Sequence, residues 1–248
     1  MRRIKDDPNI NPKDLRKETI FVASSAIILF IFLLIWSIIY TFIDAIVVMG
    51  LGFFMLVPAF VTNGMMVLAG KIKGIKSYPM DGGRYYKDGK RILGDGKTWN
   101  GFIGGWILGF VVSSIICWWF LNRIGEAQVY DNFKLIDQDY VLSFLDLIMN
   151  DDNHVNYPMY FLSQAVIALG SPIGDAIGSF IKRRTSLERG EVFLFWDQND
   201  FVIVSSALAL FFFPLRWYYW VFLLLITPLL TALANWVGYL INKKDVPW

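Results

Sequence analysis

The sequence predicts an all-α integral membrane protein, a polytopic bundle of about six transmembrane helices. Three observations predict this fold class. Of the 248 residues, 56% are hydrophobic, and the mean hydropathy is +0.48, which is typical of membrane rather than soluble proteins. Apolar runs of about 20 residues, the length of a helix that crosses a bilayer, recur along the chain. Lys and Arg are concentrated in alternate segments between these runs.

The first two apolar runs are nearly continuous, because only the region of Asp44 interrupts them. They predict a helical hairpin with a very tight turn. The fifth run is short and is bounded by Pro214 and Arg216. The six predicted spans are residues 20–42, 45–70, 101–121, 157–179, 201–216 and 218–241.

The distribution of charge orients these spans. The N-terminal tail, residues 71–100, residues 179–200 and the C-terminal tail fall on one side of the predicted membrane. With Asp175 included, this side holds 20 of the 23 basic residues and 13 of the 21 acidic residues. Because Lys and Arg are enriched in cytoplasmic loops, this side and both termini are predicted to be cytoplasmic.

Two regions follow from this layout. Residues 1–44 are predicted to form a cytoplasmic tail and an additional transmembrane helix. Residues 45–248 are predicted to form a five-helix core, in which the acidic segment 123–156 is extracytoplasmic and carries a short surface helix at 139–149.

Single residues argue against several function classes. Cys117 is the one cysteine, so an intramolecular disulfide is excluded, and its apolar surroundings predict a buried hydrophobe. His154 is the one histidine and stands in a polar loop, which argues against a catalytic triad or a histidine-rich zinc site. The basic residues flank spans and lack a strand-borne aromatic pattern, so no nucleic-acid binding is predicted.

Two runs of glycine predict a helix contact. Gly101, Gly105 and Gly109 open the third span, and the fourth span carries the same spacing at 170, 174 and 178. Small residues at this spacing let helices approach closely in lipid. We therefore expect the third and fourth spans to touch, which would place loop 71–100 beside Asp175. Pro172 is expected to kink the fourth span.

Residues 170–200 form the first candidate site. In a helix, Asp175, Ser179 and Lys182 lie on one face. The acids Asp197 and Asp200 follow after a loop. Acidic side chains among cations suit a Mg²⁺-bound polyphosphate, because the acids hold the metal and the cations bind the remaining oxygens. The cations are Lys182, Arg183, Arg184 and Arg189.

A simpler interpretation accounts for part of this cluster. Basic residues that follow a hydrophobic helix commonly anchor it at the cytoplasmic lipid surface. This explains residues 182–184, but it does not explain Asp175 within an apolar run or the later pair of acids. An ionisable side chain inside a membrane segment indicates a functional site.

The second candidate site is the segment Gly94-Asp95-Gly96-Lys97-Thr98, which directly precedes the third span. Glycine lets a backbone wrap around a phosphate, and the free N–H groups at a helix start favour an anion. The segment is not a P-loop, because that spacing requires glycine where Arg91 stands. A glycine-rich turn that only caps the helix is the alternative.

Two motifs resemble a known family. LGDGKTWNGFIGG (93–105) and SPIGDAIGSFIKRRTSLERGEVFLFWDQNDF (171–201) resemble archaeal CDP-archaeol synthases. The second motif is also similar to the wider phosphatidate cytidylyltransferase signature, in which S-x-x-K-R is followed by D-x-x-D. The matching positions are Ser179, Lys182, Arg183, Asp197 and Asp200. The resemblance extends over about residues 45–248.

The resemblance implies transfer of CMP from CTP to 2,3-bis-O-(geranylgeranyl)-sn-glycerol 1-phosphate in the bilayer. The products would be unsaturated CDP-archaeol and pyrophosphate, in archaeal phospholipid biosynthesis, and the catalytic loops would lie on the cytoplasmic side. The cofactor would be Mg²⁺, held by Asp175, Asp197 and Asp200. These three acids would act in catalysis with Lys182 and Arg183. The substrate-binding residues would be Gly94, Asp95, Gly96, Lys97, Thr98, Ser179, Arg184 and Arg189.

The chain departs from the family pattern at three places. The span 20–42 with its tail is additional, and segment 123–156 is longer than expected; both are predicted to lie away from the site. Asn100 stands where a basic residue is expected, so one phosphate contact is missing or is supplied elsewhere, for instance by Arg91.

Other functions remain open at this point. The motifs do not distinguish isoprenoid ether lipids from diacyl lipids, so a diacyl phosphatidate cytidylyltransferase is the nearest alternative. A small transporter of anions, or one coupled to a cation, would use six spans, but the chain shows no internal repeat. A non-catalytic scaffold would leave both motifs unexplained. The oligomeric state is open, a homodimer included.

Overall fold

The computed structural model describes residues 10–70, 72, 76–126, 155–187, 191–241 and 246–247. These residues are largely helical, and short antiparallel bridges pair Pro79 with Thr98 and Tyr85 with Arg91. The α-helices are α1 (Pro12–Ile39), α2 (Phe42–Met55), α3 (Val57–Ala69), α4 (Gly105–Glu126), α5 (Tyr157–Arg184), α6 (Leu194–Ala209) and α7 (Trp217–Leu240), and a π-helical turn (Asn100–Gly104) leads into α4.

Four helical segments in the described part of the chain are long and apolar enough to cross a membrane: α1, the π-turn with α4, α5 and α7. The pair α2 and α3 passes the same criterion together but is bent by 51°, which gives five candidate spans if the pair counts as one. Helix α6 has 16 residues, fewer than a spanning helix needs. The all-helical membrane fold is therefore confirmed, but the count of six spans is not.

The predicted span 45–70 is not one continuous helix, because the helix is interrupted at Leu56. Pro58 lies in the first turn of α3, where its missing N–H costs nothing, whereas inside a continuous helix it would remove a hydrogen bond. The turn between the first two helices lies at Tyr40–Thr41. Thr41 Oγ1 accepts a hydrogen bond from the Asp44 N–H at 3.0 Å and so caps α2.

Helices α3, α4, α5 and α6 form the part of the bundle that carries the candidate site. Helix α5 packs against α3, α4 and, most extensively, α6, and α3 also packs along α4. Helices α1 and α2 pack on α7, which contacts α6. Helix α5 is therefore placed between the two helices that carry or border the predicted motifs.

The predicted contact between the third and fourth spans is confirmed. Trp106 Nε1 donates to the carbonyl of Ala165 at 2.9 Å, and the Tyr160 hydroxyl donates to the Ser114 carbonyl. Helix α5 continues through Pro172 from Tyr157 to Arg184.

The glycine runs, however, do not make this contact. A Cβ on Gly105 would lie 2.7 Å from Met66 Cα, so that run packs α4 against α3. A Cβ on Gly174 would lie 2.7 Å from Phe201 Cα, so the second run packs α5 against α6. Each distance is shorter than a side chain allows, and glycine is therefore required for both close approaches.

The predicted surface helix at 139–149 and the environment of His154 lie outside the described residues. Cys117 is fully buried, as its apolar surroundings predict.

Candidate active site

The loop before α4 is built around Asp81, a residue that the sequence analysis missed. Its side chain is fully buried. It accepts hydrogen bonds from the backbone N–H groups of Gly83 (3.0 Å), Leu93 (3.0 Å) and Gly94 (2.9 Å). Arg91 adds two more, from Nη2 at 2.9 Å and Nε at 3.2 Å. Asp81 therefore fixes the start of the glycine-rich segment.

Burial alone would raise the pKa of Asp81, but the hydrogen bonds from Arg91 and from the three backbone N–H groups hold that pKa well below its usual range. The available sequence signal was Asp81-Gly82-Gly83, since Asp followed by glycine is typical of a side chain that bonds its own turn. Both glycines have positive φ, +57° and +80°.

Arg91 does not face an open site. Its Nη2 also donates to Asp95 Oδ1 at 2.8 Å, so the guanidinium lies between two carboxylates. The expectation that Arg91 replaces a basic residue at position 100 is therefore not supported. Asn100 itself donates to the carbonyl of Lys76 at 3.1 Å.

Lys97 joins this loop to α5. The Gly94 backbone has φ +98°, and its carbonyl accepts the Lys97 N–H at 3.2 Å, which forms a tight turn. Lys97 Nζ lies 2.5 Å from Asp175 Oδ1. The structure thus places loop 71–100 beside Asp175, as predicted, although the glycine runs serve other helix pairs.

Three acids act electrostatically on Lys97. Burial alone would lower the pKa of Lys97, but the charge and hydrogen bond of Asp175, with the charges of Asp200 and Asp197, outweigh it and raise that pKa. Lys97 is therefore a firmly protonated cation that faces a group of carboxylates.

Asp197 lies in the first turn of α6 and is paired with the second lysine. Lys182 Nζ lies 2.6 Å from Asp197 Oδ2, and the same oxygen accepts the Phe193 N–H at 2.9 Å. The side chain remains 34% exposed. An acid at this position is favoured by the helix dipole and is open to a ligand.

Asp200 lies one turn further along α6 and is 9% exposed. A Cβ on Gly178 would lie 3.1 Å from Asp200 Cβ and 3.2 Å from its Cγ, so this carboxylate rests directly on the α5 backbone. Gly178 lies three residues after Asp175 and so shares its face of α5, and Asp200 lies three residues after Asp197 and so shares its face of α6. The three acids therefore line the contact between α5 and α6.

The donor chemistry at this contact fits Mg²⁺, although the carboxylates are held apart. Among the described residues, no three Asp, Glu, His or Cys side chains are grouped as a metal site. Lys97 holds Asp175 and Lys182 holds Asp197, so lysine ammonium groups stand where a cation would be attracted. Carboxylate oxygens are the protein ligands that Mg²⁺ prefers.

Arg183 lies against the glycine-rich turn. Its Nε is 3.5 Å from the Leu93 carbonyl oxygen, and a Cβ on Gly94 would lie 3.5 Å from the same nitrogen. Nη1 donates to the Leu187 carbonyl at 2.6 Å. Arg183 is thus a second link between α5 and the loop.

Arg184, which is predicted to bind substrate, also contacts the loop before α4. Its Nη2 donates to the Arg91 carbonyl at 2.6 Å, and Nε lies 3.0 Å from Asp88 Oδ2. Its guanidinium stacks 4.9 Å from the ring centroids of Tyr86 and Phe180. Arg184 therefore fastens residues 85–91 to α5, and its role in substrate binding stays a prediction.

The other predicted residues surround this centre. Thr98 Oγ1 accepts the Gly101 N–H at 3.2 Å and caps the helix start. Asp95 and Gly96 are exposed at the tip of the loop. Ser179 is one turn beyond Asp175 on α5. Arg189 lies outside the described residues.

The expectation that the first span and its tail lie away from the site is wrong. Glu18 of α1 accepts a hydrogen bond from Gln198 Nε2. Gln198 stands between Asp197 and Asp200 on α6. The sequence gives only a weak indication of this contact. An acidic residue just before a predicted span, such as Glu18, is also common where a helix leaves the membrane on the cytoplasmic side.

The chain is similar to known sequences over both motifs. A family model described as CarS-like CDP-archaeol synthase matches residues 42–151 and 139–248. CDP-archaeol synthase of Methanoculleus marisnigri is 34% identical over 200 residues, which cover 78% of this chain and 100% of the relative. The synthase of Thermococcus kodakarensis is 34% identical, over 79% of this chain and 95% of the relative.

A solved structure supports the same relationship. It is described as an intramembrane enzyme for archaeal membrane lipids biosynthesis and is similar with a TM-score of 0.52 and 26% identity, over 73% of this chain and 89% of its own. This likeness supports a multi-pass membrane enzyme. The matched family model spans both motifs that meet at Lys97 and Asp175, and the chain therefore belongs to the CDP-archaeol synthase family.

Proposed function

We propose that this protein transfers CMP from CTP to 2,3-bis-O-(geranylgeranyl)-sn-glycerol 1-phosphate, forming unsaturated CDP-archaeol and pyrophosphate. The observation that carries this proposal is the ion pair of Lys97 with Asp175. It joins the two family motifs into one centre of acids and cations. The relatives that match this chain over most of their length are CDP-archaeol synthases.

The reaction requires charge neutralisation more than proton transfer. A lipid phosphate oxygen forms a bond to the α-phosphorus of CTP, the bond between that phosphorus and the bridging oxygen to the β-phosphate breaks, and pyrophosphate leaves with the electron pair. A phosphate monoester is already ionised near pH 7, so no strong general base is needed. The site, with Asp, Lys and Arg and no histidine among its described residues, suits this chemistry.

The residues divide into two groups in this proposal. Asp175, Asp197 and Asp200 would hold Mg²⁺, which would neutralise phosphate charge. Lys97, Lys182 and Arg183 bind phosphate oxygens of CTP and of the lipid. The glycine-rich turn, held by Asp81, lets the backbone approach the nucleotide closely.

The same proposal places the centre at the cytoplasmic surface. The segments that carry the site hold most of the Lys and Arg of the chain, which supports this orientation. The lipid chains would enter between helices from the bilayer, so that the headgroup meets CTP from the cytoplasm.

Pyrophosphate release from detergent-purified, full-length protein tests the function. The reactions contain CTP and Mg²⁺ with the digeranylgeranyl lipid phosphate, with diacyl phosphatidic acid, or with no lipid. Release that requires CTP and the ether lipid is expected. A preference for the diacyl lipid would replace the ether-lipid assignment, and no release with either lipid, from protein shown to be folded, would contradict a cytidylyltransferase and favour anion transport.

A further inference from the structure

Helix α1 carries polar side chains on the face that is buried against the rest of the bundle. Its buried residues are Asp14, Glu18, Ser25, Leu29 and Trp36, which repeat at intervals of four and seven and so share one face. Other α1 side chains such as Ile27 and Phe30 are exposed, at 61% and 66%. The family model begins at residue 42, so this helix lies outside the matched core.

Glu18 and Gln198 form the contact between this buried face and α6. Glu18 is 6% exposed and Gln198 is 1% exposed, and Gln198 Nε2 donates to Glu18 Oε1 across 180 positions of sequence. In the described part of the chain, the carbonyl oxygen of Gln198 has no hydrogen-bond partner. The hydrogen bond from Nε2 to Glu18 is therefore the contact that orients the buried amide of Gln198. Breaking a hydrogen bond between two buried groups on one side only is costly, because the remaining group is left unsatisfied.

The position of Gln198 on α6 gives this bond a consequence for the site. Asp197 and Asp200 are three residues apart and share the face that meets α5, whereas Gln198 is turned by about 100° from Asp197. A hydrogen bond at Gln198 therefore resists rotation of α6 about its own axis. A rotation of about 20° would move each Cα by roughly 0.8 Å at the usual helix radius, and a misplacement of about 1 Å can reduce turnover by about 100-fold.

We propose that Glu18 is a positioning residue: through Gln198, it fixes the rotation of α6 that presents Asp197 and Asp200 to α5. The additional helix α1 is thus part of the catalytic unit of this chain. The kinetic test of this inference rests on the proposed cytidylyltransferase function. The structural test is independent of that function.

The decisive variant replaces both partners by methionine, Glu18→Met with Gln198→Met. Replacing both partners of a buried hydrogen bond with apolar groups of similar shape can leave stability nearly unchanged, and the Tm, measured beside kcat, separates a loss of positioning from a loss of folding. We expect kcat to fall about tenfold or more, with the KM for CTP within about twofold and a similar Tm. A folded double variant whose kcat stays within about twofold of the wild type would overturn the proposal.

Two further variants sharpen the kinetic test. Glu18→Gln keeps an acceptor oxygen and should retain most of the wild-type kcat, whereas Glu18→Met alone should lose it. Ser25→Ala is the matched control on the same buried face and should leave kcat unchanged. A loss in Ser25→Ala equal to that in Glu18→Met would show that α1 acts only through general packing, and would overturn the proposal.

Hydrogen exchange provides a readout that does not depend on turnover. Faster backbone exchange in residues 193–200 is expected in the double methionine variant and not in Ser25→Ala. Unchanged exchange in this segment would overturn the positioning role whatever the enzyme does with CTP. If wild-type protein released no pyrophosphate, the proposed function would fail, while the exchange result would still decide the role of Glu18.

Discussion

Lys97 Nζ lies 2.5 Å from Asp175 Oδ1, and this ion pair joins a loop to a helix residue 78 positions later in the chain. The loop is a glycine-rich segment shaped by Asp81, and the helix runs beside the acids of α6. Two motifs that are weak when taken singly are therefore parts of one centre.

Lys97 supplies the central cation of the site, so its removal should impair turnover. For Lys97→Met we expect kcat/KM for CTP to fall by about 100-fold or more, because preorganised charge at transferring phosphate is lost. The measurement is pyrophosphate release over a CTP titration. Lys87→Met, at an exposed position of the same loop, is the control and should behave as wild type; equal losses in both variants would contradict a specific role.

Asp197 should be required for turnover and for use of Mg²⁺. Asp197→Asn keeps the size of the side chain but removes its charge, and we expect kcat to fall by about 100- to 1,000-fold with little loss of folded protein. Chelation with EDTA should stop the wild-type enzyme, and added Mg²⁺ should restore it. Glu191→Gln, a nearby exposed acid, is the control. Wild-type activity in Asp197→Asn would remove this residue from the proposed metal site.

The contact of α5 with α6 should not tolerate a methyl group at Gly174. A Cβ there would lie 2.7 Å from Phe201 Cα and 2.8 Å from the backbone carbon of Asp200. Because these neighbours are backbone atoms, the helices must separate, and Gly174→Ala should lower both the Tm and kcat. Gly64→Ala has no atom within 4 Å of the new Cβ and should be neutral or slightly stabilising. If the two variants had the same Tm, the close approach of the helices would be disproved.

Asp81 should stabilise the loop as an ionised group. Asp81→Asn leaves Arg91 and three N–H groups without their charged acceptor, and we expect a loss of about 3 kcal/mol in the free energy of unfolding. Because the folded pKa is depressed, this contribution is present above the ordinary carboxyl pKa and is lost as the pH falls toward the folded value.

The difference in Tm between wild type and Asp81→Asn should therefore be similar at pH 7 and pH 5 and smaller at about pH 3, since an ordinary Asp has a pKa of about 3.9. Thermal unfolding followed at these three pH values makes the comparison. A difference that grows as the pH falls would contradict the assigned ionisation of Asp81.

Much of the site could be predicted because its residues are close in sequence and their spacing is helical. Asp175, Ser179 and Lys182 had to share a helix face, and the glycine runs required close helix packing nearby. Arg184 shows the limit of this reasoning. Its position in the basic cluster predicts that it binds a phosphate, and the structure adds contacts with Asp88 and Tyr86 that no local pattern reveals. The direction in which a cation points depends partly on partners distant in sequence.

The apolar segments, the membrane class and the two motifs can be predicted from the amino-acid order, because hydrophobic length and residue spacing are local properties. Three features emerge from the folded bundle: each glycine run packs against a helix other than the expected one, Asp81 holds the loop, and Glu18 contacts Gln198. These features depend on the rotation of each helix about its axis and on hydrogen bonds between segments far apart in the chain. Both are set by packing of the whole bundle, which no local pattern encodes.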